Sequence, residues 1–158
     1  MKRIDWKRLL PCLAIPLVVG GLAALITMGS MDAYMETVRQ PKLSPPPALF
    51  PIVWTVLYLL MGISSYLVCS APVPQPARKQ ALLPYALQLF FNFVWPLLFF
   101  RQQAFLPAFF WLVILWALVL WMILAFRKVN RTAAWLVPYL LWLTFAGYLN
   151  LAVWLLNP

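Results

Sequence analysis

The sequence predicts an all-α membrane protein, a five-transmembrane-helix bundle, and three observations lead there. Hydrophobic residues make up 65% of the 158 and charged residues only 9%, against roughly 25% charged in an average soluble domain. The few charges divide the chain into apolar runs long enough to cross a bilayer, which takes about 20 residues at 1.5 Å rise. Prolines crowd the places between two of those runs. Such a composition needs lipid as its solvent, and the length suits a single compact domain over residues 1–158.

Between Arg8 and Asp32 lie 23 uncharged residues, which predicts a first span at about 9–28. That run is longer than the apolar region of a cleaved signal peptide, and no clear A-x-A-like cleavage site marks it. The interval from Lys42 to Arg78 holds 35 residues, but Pro45, Pro46 and Pro47 precede, and Pro72, Pro74 and Pro76 follow, a stretch that fits a helix at 49–69. The 21 uncharged residues between Lys79 and Arg101 predict a third span at 81–100, and the 25 between Arg101 and Arg127 a fourth at 104–126. After Arg131 the remaining 27 residues carry no charge and predict a fifth at 133–156. Turns at 101–103 and 127–132 are short, so neighbouring helices should pack antiparallel. The longest connection is 29–47, which carries Asp32 and Glu36 and ends in Pro41-Lys42-Leu43-Ser44-Pro45-Pro46-Pro47. A long, stiff loop at one mouth of a bundle is a candidate lid.

Twelve Lys and Arg stand against three Asp and Glu. In a polar chain that balance would suggest nucleic acid. Here the cations sit singly or in pairs between apolar runs, so they read as topology signals, and the expected partner is the lipid bilayer, with no nucleic acid. With the N-terminus in the cytoplasm of a bacterial cell, Lys2, Arg3, Lys7, Arg8, Arg78, Lys79, Arg127, Lys128 and Arg131 fall inside, and Arg39, Lys42 and Arg101 outside. The positive-inside rule favours that orientation, with the C-terminus outside.

Absences narrow the chemistry. The chain has no His, which excludes His-based metal sites, Ser-His-Asp triads, Cys-His dyads and axial His ligation of haem. Asp5, Asp32 and Glu36 all fall outside the expected spans, so no buried acid is available for a proton relay. There is no phosphate-binding glycine loop. Cys12 and Cys69 fall in or near apolar spans and read as small buried hydrophobes. No catalytic residue and no metal ligand is assigned, and no cofactor is required.

What the spans do hold is aromatic surface and a few amides. Nine Trp, six Tyr and eleven Phe are present. Trp6, Trp111, Trp116, Trp121, Trp135 and Trp154 read as interfacial belt or lipid-facing residues. Gln88, Asn92 and Pro96 recur at i, i+4, i+8 in the third span, with Trp95 beside them, and Pro138, Trp142, Ala146 and Asn150 follow a similar stripe in the fifth. Trp54 and Tyr58 stand four apart in the second. An amide in a membrane is costly unless partnered, so Gln88, Asn92 and Asn150 should face the bundle interior. Interhelical hydrogen bonding alone would satisfy them. Equally, aromatics beside uncharged amides would line a pocket for a large flat apolar ligand with one or two polar atoms, such as a porphyrin, a sterol or an aromatic drug.

At these residues the sequence resembles the TspO/MBR family, the tryptophan-rich sensory proteins related to the mitochondrial translocator protein or peripheral benzodiazepine receptor. The resemblance rests on Pro41-Lys42-Leu43-Ser44-Pro45-Pro46 followed by Phe50-Pro51-Ile52-Val53-Trp54-Thr55-Val56-Leu57-Tyr58, on Gln88-Leu89-Phe90-Phe91-Asn92-Phe93-Val94-Trp95, and on Pro138-Tyr139-Leu140-Leu141-Trp142-Leu143-Thr144-Phe145-Ala146-Gly147-Tyr148-Leu149-Asn150. It implies a five-helix bundle, often a homodimer, with a pocket under the loop between the first two helices. The implied ligands are porphyrins such as protoporphyrin IX or haem, benzodiazepine and isoquinoline drugs, and cholesterol in mitochondrial members. Carried over, the ligand-binding residues are Trp54, Asn92, Trp95, Trp142 and Ala146, with Tyr58 and Gln88 as neighbours. The chain departs from many members at Leu43 and Ala48, often aromatic, and at Tyr34-Met35-Glu36, often Trp-Tyr-Asp.

Two function classes follow: a membrane receptor or sensor binding porphyrins and related hydrophobic small molecules, or an activity, namely light-dependent porphyrin degradation or tetrapyrrole transport. Trp54 and Trp142 offer oxidisable indoles, but no general acid or base accompanies them. The binding class is therefore preferred.

Overall fold

A computed structural model describes residues 4–158; Lys2 and Arg3, two of the cations assigned to the inner side, lie outside the described residues. Among the described residues, five helices are long and apolar enough to cross a membrane. They are α1 (Trp6–Thr37), α2 (Leu49–Cys69), α3 (Gln75–Pro96), α4 (Phe105–Val129) and α5 (Val137–Leu156). The protein is an integral membrane protein.

Helix α1 is the main departure from expectation. It starts on Asp5, whose carboxylate accepts the Lys7 backbone N–H at 3.1 Å, a side-chain N-cap. It then continues past Met28 to Thr37. The apolar window ends before Asp32, but nothing between Gly29 and Thr37 breaks a helix, and the next proline is Pro41. At 32 residues α1 is about 48 Å long, well beyond the roughly 30 Å of hydrocarbon. Its extension is anchored by Tyr34, whose ring lies 5.3 Å from Phe99 and 5.1 Å from Phe100. Asp32 and Glu36 thus stand on a helix, and the connection to α2 comprises only residues 38–48. That connection is tied down by a reciprocal pair: the Arg39 N–H donates to Asn157 Oδ1 at 2.9 Å, and Asn157 Nδ2 donates to the Arg39 carbonyl at 3.0 Å.

Helix α3 begins at Gln75, six residues ahead of the expected span, because Pro76 sits in its first turn where a missing N–H costs nothing. It ends in a π-helical turn, Leu97–Arg101. Pro96 supplies no N–H there, and the wider turn hands the next bonds on, with Gln102 N–H donating to the Leu97 carbonyl at 3.0 Å. A 3₁₀ turn, Arg131–Ala134, joins α4 to α5, capped by the Asn130 side chain on the Thr132 N–H at 3.0 Å.

The helices pack α2 on α1, α1 on α3, α3 on α4 and α4 on α5. Helices α2 and α5 are the pair that does not close, and an apolar groove remains between them. Helix α4 holds its neighbours through indole donors. Trp111 Nε1 donates to the Phe91 carbonyl at 2.9 Å and Trp116 Nε1 to Thr144 Oγ1 at 2.9 Å. These two tryptophans are interhelical ties rather than belt residues, whereas Trp6, Trp121 and Trp135 are exposed.

Candidate ligand site

A chain of polar side chains runs through the bundle between α2, α3 and α5. The Tyr58 hydroxyl donates to Asn92 Oδ1 at 2.8 Å, Asn92 Nδ2 donates to the Tyr139 hydroxyl at 2.7 Å, and that hydroxyl donates to Gln88 Oε1 at 2.9 Å. Gln88 Nε2 ends the chain on the Met61 sulfur at 3.7 Å, a weak acceptor. Gln88 and Tyr139 are 0% exposed and Asn92 2%. Each hydroxyl and each amide oxygen in the series has a partner, which is what burial in an apolar bundle demands.

Asn150 forms a second knot. Its Oδ1 accepts the Trp95 indole N–H at 3.1 Å, and its Nδ2 donates to the Phe105 carbonyl at 2.8 Å, joining α3, α4 and α5. Trp95 stacks on Phe99 with ring centres 5.1 Å apart. It belongs to the aromatic cluster of Tyr34, Phe99 and Phe105, away from the groove.

The aromatic face of the site lies above the polar chain. Trp54 stacks on Tyr58 at 5.6 Å and meets Tyr139 edge-on at 6.1 Å. Trp142 lies across the groove in contact with Phe50 at 5.9 Å and Phe145 at 5.7 Å. The groove holds about 480 Å³ and is walled by aliphatic residues of α2, such as Val53, Val56 and Leu60, facing Pro138, Leu141, Trp142 and Phe145 of α5. In its wall the Trp142 indole N–H is buried without a hydrogen-bond partner. Leaving such a donor unpaired costs about 1–3 kcal/mol.

Of the seven residues expected from the sequence, Trp54, Tyr58, Gln88 and Asn92 come together inside the bundle, and only Trp142 lines the groove. Ala146 is buried on the inner face of α5, and Trp95 is diverted to Asn150. The stripe Pro138, Trp142, Ala146, Asn150 does not lie on one face. Steps of four overshoot a turn by about 40° each, so the inner face is Tyr139, Leu143, Ala146, Asn150 and Val153, while Pro138 and Trp142 turn to the groove. The same drift moves Pro96 off the inner face of α3, which carries Gln88, Asn92 and Trp95. Tyr139, Phe50 and Met61 were missed. A strict 3.6-residue period counted back from Asn150 would have found Tyr139; Met61 has no sequence signal.

Among the described residues no cluster of three or more His, Cys, Asp or Glu could hold a metal. The arrangement sets an apolar groove with two aromatic side chains, Trp142 and Phe145, beside a chain of satisfied amides and hydroxyls. It offers no general acid or base.

Comparison with known proteins agrees with this architecture. A sequence model of the TspO/MBR family matches residues 12–155. The chain is 34% identical to the tryptophan-rich protein TspO of Chlorobaculum tepidum, over 93% of this chain and 94% of that one. It is 32% identical to the tryptophan-rich sensory protein of Cereibacter sphaeroides, over 98% and 94%. With the translocator protein of Bos taurus it shares 33%, over 89% and 84%.

Proposed function

The chain belongs to the TspO/MBR family, and from that premise we propose that it is a membrane receptor for a porphyrin or a related large, flat aromatic molecule bound at the α2–α5 groove. The relatives' names, tryptophan-rich sensory protein and translocator protein, support a sensing or translocating role in the membrane. The observation that carries the ligand reading is the unpaired Trp142 indole N–H in the wall of an apolar groove. A ligand carbonyl or carboxylate that reaches the indole N–H would remove that cost, while Trp142 and Phe145 supply aromatic faces to the groove and the Trp54–Tyr58 stack lies outside its lining. The groove volume of about 480 Å³ falls within the usual range for small-molecule sites, about 300–1,000 Å³. Gln88 and Asn92 support the site from beneath, because their hydrogen bonds are already made within the bundle.

Titration of the purified protein with protoporphyrin IX in the dark tests this reading. Saturable binding is expected, with a porphyrin spectrum that also stays stable in light; bleaching only in light would point to photochemistry at the indoles instead. Replacing Trp142 by Ala should weaken binding by about 1–3 kcal/mol, through loss of an aromatic contact, and Trp54→Ala should weaken it through loss of the packing on Tyr58 and Tyr139. Trp121→Ala, on an exposed face, should not.

Haem should bind within about tenfold of metal-free protoporphyrin, equivalent to about 1.4 kcal/mol, since stacking and burial rather than an iron ligand hold the ring. A six-coordinate haem spectrum with much weaker metal-free binding would contradict this.

Orientation with the N-terminus inside the bacterial cell membrane rests on the distribution of cations. An Arg101→Cys variant should be labelled by an impermeant maleimide in intact cells, and Arg127→Cys, at the other end of α4, only after permeabilisation. Homodimer formation also belongs to this reading. Gly20 is occupied within the chain by the Tyr58 ring, so Gly21 and Gly29, with nothing within 4 Å of an added Cβ, are the α1 glycines free for close approach by a second copy.

A further inference from the structure

Helices α2 and α3 face each other in a register that two contacts fix. Gln88 Nε2 reaches the Met61 sulfur at 3.7 Å, and ten residues on from Met61 and ten back from Gln88, Arg78 Nη2 donates to the Ala71 carbonyl at 2.8 Å. Between these ties the antiparallel helices set Ser64 and Ser65 of α2 opposite Pro84 and Tyr85 of α3. All four residues are buried. Helices α2 and α3 also approach each other less closely than α1 and α2 or α3 and α4 do. Small side chains on both sides, Ser64, Ser65 and Ala81, leave room in that wider seam.

The seam is polar, and its donors lack partners. The Tyr85 hydroxyl and Arg78 Nε are buried with no hydrogen-bond partner. Gln88 Nε2 carries two protons but reaches only the Met61 sulfur, a weak acceptor. Arg78 lies seven residues before Tyr85 and Gln88 three after it, so the three share one face of α3. Acceptors stand on the same seam. Ser65 Oγ gives its proton to the Gly62 carbonyl at 2.9 Å and keeps its lone pairs. Pro84 supplies no N–H to the Gln80 carbonyl one turn behind it. The Tyr85 ring packs on Phe126 with centres 6.0 Å apart, which holds its hydroxyl in place. Buried donors of this kind nearly always find a partner.

We propose that the α2–α3 seam is a hydration site, in which one water sits among Tyr85, Ser65 and the Gln80 carbonyl and a short file of water continues to Arg78 at the end of the bundle. Water suits these groups because it both accepts and donates. It takes the Tyr85 hydroxyl proton and gives its own to Ser65 Oγ and the Gln80 carbonyl, within the two to four partners that a buried water holds. Tyr85 and Arg78 stand two helical turns apart, about 10.5 Å of rise. Their side chains shorten that gap to what about two waters span, at about 2.8 Å per hydrogen bond. The site also offers an oxygen to the second Gln88 N–H. Water thereby helps to hold Gln88, and through it Tyr139 and Asn92, which stand beneath the ligand groove.

Pulsed X-ray radiolysis of the full chain in detergent, read by peptide mass spectrometry, tests this, because ordered water converted to hydroxyl radical oxidises the side chain beside it. Tyr85 should be labelled several-fold faster than Tyr139, which is also buried but has both its hydrogen bonds made within the protein. Heavy-oxygen water mixed in beforehand should appear in the Tyr85 product, since the file to Arg78 lets the site exchange with bulk. Tyr85→Phe keeps the ring on Phe126 and should lower the melting temperature, because the water loses a partner. If Tyr85 is labelled no faster than Tyr139, the seam is dry and the proposal falls. A melting temperature of Tyr85→Phe at or above that of wild type overturns it too, since deleting an unpaired hydroxyl from a dry seam removes a cost. None of these readouts involves a porphyrin, so they stand or fall separately from the ligand-binding reading.

Discussion

Replacing Asn92 by Leu should destabilise the bundle by about 2–3 kcal/mol, the largest effect expected from any single polar side chain in it. Interhelical hydrogen bonds in bilayers average about 0.6 kcal/mol and reach about 1.7. Asn92 makes two of them, to Tyr58 and Tyr139. Its loss also strands the Tyr58 hydroxyl proton in the bundle, a cost of about 1–3 kcal/mol when no new partner is found. Tyr139 suffers less, because it can still donate to Gln88. Thermal melting of the detergent-solubilised protein reads the difference. A cycle with Tyr58→Phe sharpens it: the double variant lacks both the stranded donor and its lost acceptor, so it should cost clearly less than the two single changes together. Additive costs would mean that the Tyr58–Asn92 bond does not exist.

Gly62→Ala should cost about 1–3 kcal/mol or somewhat more, as overpacking does in a close helix crossing. The added Cβ would meet Leu13 Cα at 2.8 Å and the Cys12 carbonyl at 2.9 Å. Those atoms are backbone and cannot swing aside, so α1 and α2 must separate along a length that includes Gly20 and the Tyr58 ring. Ligand affinity should fall with stability. Gly21→Ala is the matched control. Nothing stands within 4 Å of a Cβ there, and Ala is favoured over Gly in a helix by about 0.8–1 kcal/mol, so that variant should melt no lower than wild type. Equal losses for Gly62→Ala and Gly21→Ala would refute the close crossing.

The number of helices and their membrane setting were legible in the sequence, because both follow from local quantities. Charge-free runs must be long enough to span lipid, and clustered prolines such as Pro45–Pro47, Pro72 and Pro74 fall between helices, with Pro76 tolerated in a first turn. The amides were legible too, since Gln88, Asn92 and Asn150 in apolar runs have nowhere to go but inward. Hydropathy could not place the end of α1. It senses lipid, whereas a helix continues into water until something breaks it, and here nothing does before Val38.

Partner choice was decided only by the tertiary structure. Sequence spacing assigned Gln88 and Asn92 to one stripe, but it took the packing of α5 against α3 to make Tyr139 the donor and acceptor between them. Trp95 and Trp142 read alike as indoles beside amides. Their fates differ because a rotation of about 100° per residue turns Trp95 toward Asn150 and leaves Trp142 on the groove with its N–H unpaired. Composition and periodicity determine which residues must be buried, since the cost of exposing or desolvating a side chain belongs to that side chain. Which buried group meets which depends on helix rotation and crossing, and these are set by contacts such as Gly62 on Leu13 that join residues far apart in the chain.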